Sequence, residues 1–165
     1  MKKKELAIAP INILFCGTGG QGVLAAAEIC SWAAIFEGFH VKKSEVHGMA
    51  QRGGSVESHV RFGEQVYSPL IPQGEADFLV SFHRDESLRM KAFLKPSGVD
   101  LTAALEKAAA AVPDKRYANV FILGILSGYL SLSEHSWLKA IESVFGRKNP
   151  EENKRAFLAG RGQRL

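Results

Sequence analysis

A short apolar run (Ile11, Ile13, Leu14, Phe15) ends in the glycine-dominated turn Gly17-Thr-Gly-Gly-Gln-Gly22, and an alanine-rich segment, Val23–Phe36, follows at once. Strand, tight turn and helix in that order make the first unit of a Rossmann-like sheet. Gly17 and Gly19 permit a sharp reversal, and Gly22 lets the helix lie close to the sheet. The pattern predicts that the N–H groups of Gly19, Gly20 and Gln21 stand at the helix N-terminus, where the dipole favours an anion. Two readings stay open on spacing alone. The turn is either a phosphate or pyrophosphate site, or a tight turn needed only for packing.

The rest of the chain is compatible with one domain. Its 165 residues suffice for a proper core, and 46% apolar with 23% charged residues is ordinary for a globular protein. Val120–Leu126 and the helix after Gly22 are too short or too interrupted to span a bilayer. Lys2–Lys4 are not followed by a signal-peptide apolar stretch, so a cytoplasmic protein without membrane contact is expected. The net charge of +4 concentrates at the two ends, without interleaved exposed aromatics, which argues against nucleic acid as a partner. Cys16 and Cys30 are the only cysteines, too few for a four-cysteine iron–sulfur or structural zinc site, and both read as buried thiols.

In chain order, Glu37-Gly38 closes the first helix and Phe39–Lys43 reads as a second strand. Ser44-Glu-Val-His-Gly-Met-Ala-Gln-Arg-Gly-Gly54 then reads as a long loop of functional composition. Ser55–Phe62 alternates, with His59 on its polar and solvent-facing side. Gly63-Glu64 turns it back along Gln65–Ser68 as a β-hairpin that Pro69 and Pro72 stop. Ala76–Phe82 reads as a strand covered on both faces, and Arg84–Phe93 as a helix ended by Lys95-Pro-Ser-Gly98. Further helices are predicted over Ala103–Val112, capped by Asp100 or Thr102, and over Tyr117–Leu130. The last two are Glu134–Phe145, capped by Ser133, and Glu151–Leu158. Residues 1–10 and 159–165 read as flexible tails.

Several residues carry two readings each. His40 and His83 beside strands read as satisfied surface or core histidines. His47 shares its loop with Glu45 and Arg52. Arg52 beside Gly53-Gly54 suits anion or carboxylate recognition, since a guanidinium stays charged and forks onto oxygens; an interface serves as well. Gly124 and Gly128 imply close helix packing. Asn119 can cap its helix or touch a ligand. No nucleophile–base–orienter set, paired carboxylate or metal-ligand cluster is visible, so catalytic and metal positions are read as none.

Together, Gly17–Gly22, Ser44–Val56, Tyr67-Ser-Pro-Leu-Ile-Pro72 and Glu75-Ala-Asp77 resemble the gamma-type subunit of 2-oxoacid:ferredoxin oxidoreductases. Helix Tyr117–Leu130 with Asn119, and Asn153-Lys-Arg-Ala-Phe157, match as well. The form Glu-Val-His-Gly-Met-Ala-Gln-Arg-Gly-Gly is most similar to the indolepyruvate branch.

The resemblance implies a three-layer α/β/α Rossmann-like sandwich and a place in a larger enzyme. It implies a partner subunit bearing thiamine diphosphate and iron–sulfur clusters, with ferredoxin as indirect acceptor and coenzyme A taking the acyl group of a 2-oxoacid. No cofactor is held by this chain alone, which is expected to be inactive and capable of homodimer formation when isolated. The residues it points to are Gly17, Thr18, Gly19, Gly20, Gln21 and Gly22 in the first loop, with Asn119. From the second loop come Ser44, Glu45, His47, Gly48, Gln51, Arg52, Gly53 and Gly54. They would cover the thiamine site or the coenzyme A entrance.

One departure stands out. Lys95-Pro-Ser-Gly98 runs almost directly into Val99-Asp-Leu-Thr102, where that family continues with another strand and a longer insert, so a strand of the sheet is in question. Rival readings are a free-standing dinucleotide-binding oxidoreductase and a non-enzymatic anion-binding scaffold. The first of these needs an acidic residue ending the second strand, where Lys42-Lys43-Ser44 stand and Glu45 comes late.

Overall fold

The computed structural model describes residues 8–49 and 52–165. β1 (Ile11–Thr18) leads through the glycine turn into α1 (Val23–Phe36), and β2 (His40–His47), β3 (Ser55–Gly63) and β4 (Ala76–Ser81) follow. α2 (Arg84–Met90) and β5 (Leu94–Asp100) complete the sheet. α3 (Ala104–Ala111), α4 (Ala118–Ser127), α5 (Glu134–Phe145) and α6 (Pro150–Arg161) come after it. The strand order is β2-β3-β1-β4-β5. β4 is parallel to β1 and to β5, whereas β3 is antiparallel to β1 and β2.

The sheet is therefore α/β in class but mixed in direction. β1 has neighbours on both edges, which is why Ile13–Cys16 are fully buried and read as one apolar run. Ile13 and Phe15 face a large core built with α1, α3, α4, α5 and α6. Leu14 and Cys16 face a smaller one with Ile71, Leu79 and Met90. Helices thus cover both faces and give the three layers.

Four local expectations give way to pairing that sequence composition does not show. Ser44–His47 belong to β2, because each residue pairs in register with β3, out to His47 opposite Val56; only residues 48–54 remain as a loop. The hairpin partner of β3 is β2, and Gln65–Ser68 form no strand. That segment crosses the thinner face of the sheet, held by side chains: His40 Nδ1 accepts from the Val66 N–H at 3.0 Å, and Arg61 Nη1 donates to the Ser68 carbonyl at 2.9 Å. His59 is consequently buried, 3% exposed, and its Nδ1 accepts from the Ile71 N–H at 3.1 Å. Lys95-Pro-Ser-Gly98, read as a helix stop, lies inside the edge strand β5, so this stretch supplies a strand.

The helices follow their local signals more closely. Ser133 caps α5 as expected, its Oγ accepting from the Ser136 N–H at 3.2 Å. α3 has Ala103 at its cap position, since the Asp100 carboxylate is spent on the Thr102 N–H and hydroxyl. α6 extends to Arg161, whose Nη1 donates to Ser127 Oγ at 2.8 Å. Gly124 allows the close approach expected of it: a Cβ there would stand 2.1 Å from the Phe157 carbonyl oxygen of α6. Gly128 has no such neighbour and ends α4 as its C-cap.

Candidate functional site

The site forms where β1 and β3 end side by side. Thr18 pairs with Ser55, so the glycine turn after β1 and the 48–54 loop before β3 leave the sheet at the same point. The Gly19 N–H donates to the Gly54 carbonyl at 3.0 Å and joins the two loops. A Cβ on Gly19 would lie 3.5 Å from the Gly53 nitrogen. The Gly48 N–H donates to the Ser55 carbonyl at 2.7 Å and closes the β2–β3 hairpin beneath them.

The glycine turn is folded on itself. Gln21 Oε1 accepts from the Thr18 N–H at 2.8 Å, and the Gln21 N–H donates to the Thr18 carbonyl at 3.2 Å. A Cβ on Gly17 would stand 2.8 Å from both Gln21 Oε1 and Val23 Cγ2, which accounts for the missing side chain there. Gly20 and Gly22 adopt φ of 88° and 78°, in the left-handed region.

These bonds change which amides face a ligand. Gly19 and Gln21 spend their N–H groups inside the protein. Among the described residues, the N–H groups of Gly20 and Gly22 have no acceptor. Those of Val23, Leu24 and Ala25 in the first turn of α1 have none from a capping side chain. The amides left open for an acceptor are therefore those of Gly20 and Gly22 at the start of α1, one step along the turn from the expected set. Gly22 serves a second contact: its Cβ would stand 2.2 Å from Asn119 Nδ2, so its small size admits α4 and not the sheet.

Two clefts open on either side of Gly20. The first, about 410 Å³, is lined by Gly19, Gly20, His47, Gly48, Arg52, Gly53, Gly54 and Ser55. It continues onto the α1 N-terminus past Thr18 and Gly22. The second, about 400 Å³, lies between the turn, α3 and α4.

Of the residues singled out in the sequence, Gly19, Gly20, His47, Gly48, Arg52, Gly53 and Gly54 gather in the first cleft, with Thr18 and Gly22 at its extension. Gly17 shapes the turn from behind, and Gln21, whose Oε1 closes the turn, lines the second cleft. Ser44 and Glu45 lie outside both clefts; Ser44 sits opposite His59, and the Glu45 carboxylate accepts from Lys43 Nζ at 3.0 Å. Asn119 lines the second cleft. Gln51 lies outside the described residues.

One supporting group has no counterpart among the sequence candidates. Ser55 Oγ donates to the Glu86 carboxylate at 2.8 Å. Arg89 binds the same carboxylate through Nε at 2.9 Å and Nη2 at 2.8 Å, and reaches Glu57 at 3.2 Å. Burial pushes the Glu86 carboxyl up, but Arg89 and the Ser55 hydroxyl outweigh it and hold the group below the usual carboxylate range. Glu86 and Arg89 are a readable i,i+3 helix pair. Their link to Ser55, on another element, had no sequence signal.

Chemically the described part of the first cleft offers amide donors, a guanidinium, an imidazole and the Ser55 hydroxyl, whose proton is spent on Glu86. Burial pushes the Cys16 thiol up to about 11, and Cys30 higher still. Among the described residues, no three His, Cys, Asp or Glu side chains gather to hold a metal, and no helix is long and apolar enough to cross a membrane.

A mixed five-stranded Rossmann-like sheet, with two glycine loops bonded at one end of it, defines a single-domain α/β module. The chain belongs to the pyruvate ferredoxin/flavodoxin oxidoreductase family, which it matches over residues 12–105 and 91–163. Indolepyruvate oxidoreductase subunit IorB of Thermococcus kodakarensis is 50% identical over 93 residues, covering 56% of this chain and 46% of that protein. The chain thus spans about half the length of such curated relatives. Pyruvate synthase subunit PorC of Methanothermobacter thermautotrophicus is 30% identical over 177 residues, covering 89% of this chain and 94% of that one. The keto/oxoacid ferredoxin oxidoreductase gamma subunit of Geobacter sulfurreducens superposes with a TM-score of 0.74 at 26% identity, over 91% of this chain and 95% of that one. The resemblance to gamma-type subunits, read from the loop motifs, holds. The two matched segments overlap at residues 91–105, around β5.

Proposed function

We propose that this chain is the small subunit of a thiamine-dependent 2-oxoacid:ferredoxin oxidoreductase acting on aryl pyruvates. In this reading it lends its two joined loops to a site completed by a partner subunit. The partner carries thiamine diphosphate and iron–sulfur clusters, which supply decarboxylation and electron transfer. This chain's own residues bind and orient. Arg52 and the free amides of Gly20 and Gly22 hold the anionic end of a cofactor or of coenzyme A, and His47 borders the same cleft.

The observation that carries the reading is the Gly19–Gly54 bond. It makes one wall of amide donors and Arg52 from two loops, joined by residues 35 positions apart, in which no nucleophile–base–orienter set stands among the described residues. A half-site of this kind fits a subunit better than a complete enzyme. The identity to IorB proteins favours an indole-bearing 2-oxoacid.

The dinucleotide-binding alternative fits the sheet poorly. β2 is parallel to β1 but separated from it by β3, so its end lies about 10 Å from β1 rather than one strand spacing away. A ribose-binding carboxylate there would stand one strand too far out.

Co-expression with a thiamine-binding large subunit of an indolepyruvate oxidoreductase tests the proposal. The expected result is a stable complex that reduces ferredoxin with indolepyruvate and coenzyme A, while this chain alone is inactive. Failure of the two chains to associate overturns it.

A further inference from the structure

The two edges of the sheet differ in whether they can take a further strand. β5 carries Pro96 and shifts register against β4 between Ala76 and Phe78, two devices that blunt an edge. β2 has neither. It runs eight residues without proline, pairs with β3 in unbroken register from His40 to His47, and has no strand on its outer side among the described residues. Ser44 and Glu45, which lie outside both clefts, sit on this strand. The helix above it is also incompletely covered. Glu28 is the only charged residue of α1, while Trp32 and Ile35 stay 37% and 43% exposed. A helix that is apolar on every side is normally buried on every side. Trp32 Nε1 donates to the Glu28 carboxylate at 3.0 Å, and Glu28 binds Lys43 of β2, so the uncovered part of α1 borders the open edge.

We propose that this edge binds a second copy of the chain, the two β2 strands running antiparallel about a two-fold axis through Ser44. Such an axis stands normal to the sheet, so residues opposite each other either both face α1 or both face away from it. With Ser44 opposite Ser44, Lys43 meets Glu45 of the second copy, and Glu45 meets Lys43 of the second copy. Within one strand the Glu45 carboxylate already accepts from Lys43 Nζ at 3.0 Å. The four charges around the axis therefore form a ring of alternating sign. Moving the register by two residues puts the axis through Lys43 or through Glu45 and sets like charges against each other. On the far side of the sheet, Lys42 lays its stem across the exposed Val46 of the second copy. Charge complementarity thus selects a second copy, in one register, over an unrelated strand. The inference rests on this chain's own surface and stands apart from the reading as an oxidoreductase subunit.

The test combines analytical ultracentrifugation of the full chain with cysteine cross-linking. The expected mass is twice 18.0 kDa, dissociating on dilution. Cys16 and Cys30 are buried, so an introduced thiol reports alone. Under mild oxidation Ser44→Cys forms a disulfide-linked dimer. Lys42→Cys and Val46→Cys do not cross-link singly, since each then stands about 14 Å from its own copy, but a mixture of the two does. Glu45→Lys raises the dimer dissociation constant about tenfold or more at low salt, with an unchanged circular-dichroism spectrum. A chain that stays monomeric at every concentration overturns the proposal. So does a dimer in which Ser44→Cys fails to cross-link, or in which Lys42→Cys alone links as readily as the mixture. Protection of the β2 amides from exchange only after a large subunit is added assigns the edge to that subunit and overturns it as well.

Discussion

The Ser55 hydroxyl donates to the Glu86 carboxylate at 2.8 Å and so anchors the first residue of β3, immediately after the 48–54 loop, to α2 on the thin side of the sheet. Glu86 is in turn gripped by both Nε and Nη2 of Arg89. The loop that carries Arg52 is thus fixed at its exit twice, by the Ser55 bond to a largely buried carboxylate and by the Gly19–Gly54 bond one residue earlier.

Breaking that anchor is expected to loosen the loop before it unfolds the protein. Glu86→Ala leaves Arg89 with Glu57 alone and Ser55 without an acceptor, and should lower stability by about 1–2 kcal/mol, since solvent at the half-exposed Arg89 screens the ion pair. Ser55→Ala should cost about 0.5–1.5 kcal/mol. In urea titrations the double variant should lose less than the sum of the two, because they share one bond. Strict additivity would show that the contact contributes nothing.

The same carboxylate sets a pH dependence. Arg89 and Ser55 hold the folded Glu86 below its ordinary 4.5 despite the opposing effect of burial. Its contribution is therefore fully present above about 4.5 and is lost as pH falls through the folded value. Urea midpoints measured from pH 6 down to pH 3 should fall more steeply for the wild type than for Glu86→Gln. Parallel curves would assign acid instability to other groups.

How much of this was legible depended on the range of the interaction. The β1–turn–α1 unit and the Ser133 cap were readable because each is decided by neighbours within a few residues. β2 was cut short at Lys43 because Ser44-Glu-Val-His47 looks polar, yet this edge strand buries little and owes its form to the ladder with β3. His59 was misplaced for the same reason. Alternation gives the face on which it lies, but not that residues 64–75 fold over that face. The meeting of Gly19 with Gly54 follows from β3 inserting between β1 and β2, which no local pattern announces.

At the α4–α6 crossing the two helices touch backbone to backbone. A Cβ on Gly160 would stand 1.9 Å from the Phe121 carbonyl oxygen, and one on Gly124 2.1 Å from that of Phe157. Backbone cannot step aside as a side chain does, so Gly160→Ala should destabilise by about 1–3 kcal/mol or more. Gly128→Ala, with its nearest atom at 3.3 Å, serves as the contrast and should change stability little. Thermal melts of the two variants compare them directly; helix propensity favours alanine at both positions, so equal melts would mean that the crossing does not govern.

Arg52 is exposed on the loop and makes no ion pair among the described residues, so its removal should not affect folding. In the assembled enzyme Arg52→Gln should raise the KM for the anionic ligand it faces by about tenfold or more, with a smaller change in kcat, because a guanidinium fork is lost from binding rather than from chemistry. Arg52→Lys should recover only part of this, as an ammonium keeps the charge without the fork. A fall in kcat at unchanged KM would instead place Arg52 at the reacting atoms.

The two thiols give a probe of the core that needs no mutation. Burial pushes Cys16 up to about 11, and Cys30 on α1 is raised further still in a fully apolar setting. Only the thiolate reacts, so at pH 8 both should resist a disulfide reagent in the folded chain and titrate as two ordinary thiols once unfolded. Each faces a different core: Cys16 the small one with Leu79 and Met90, Cys30 the large one with α4 and α5. Among the described residues, the small core is covered by α2, by Phe93 and Leu94 after it, and by the crossing segment. Cys16 should therefore become reactive first as urea is added, with Glu86→Ala advancing its exposure more than that of Cys30. Simultaneous exposure of both thiols in the variant would show that the two faces of the sheet unfold as one unit.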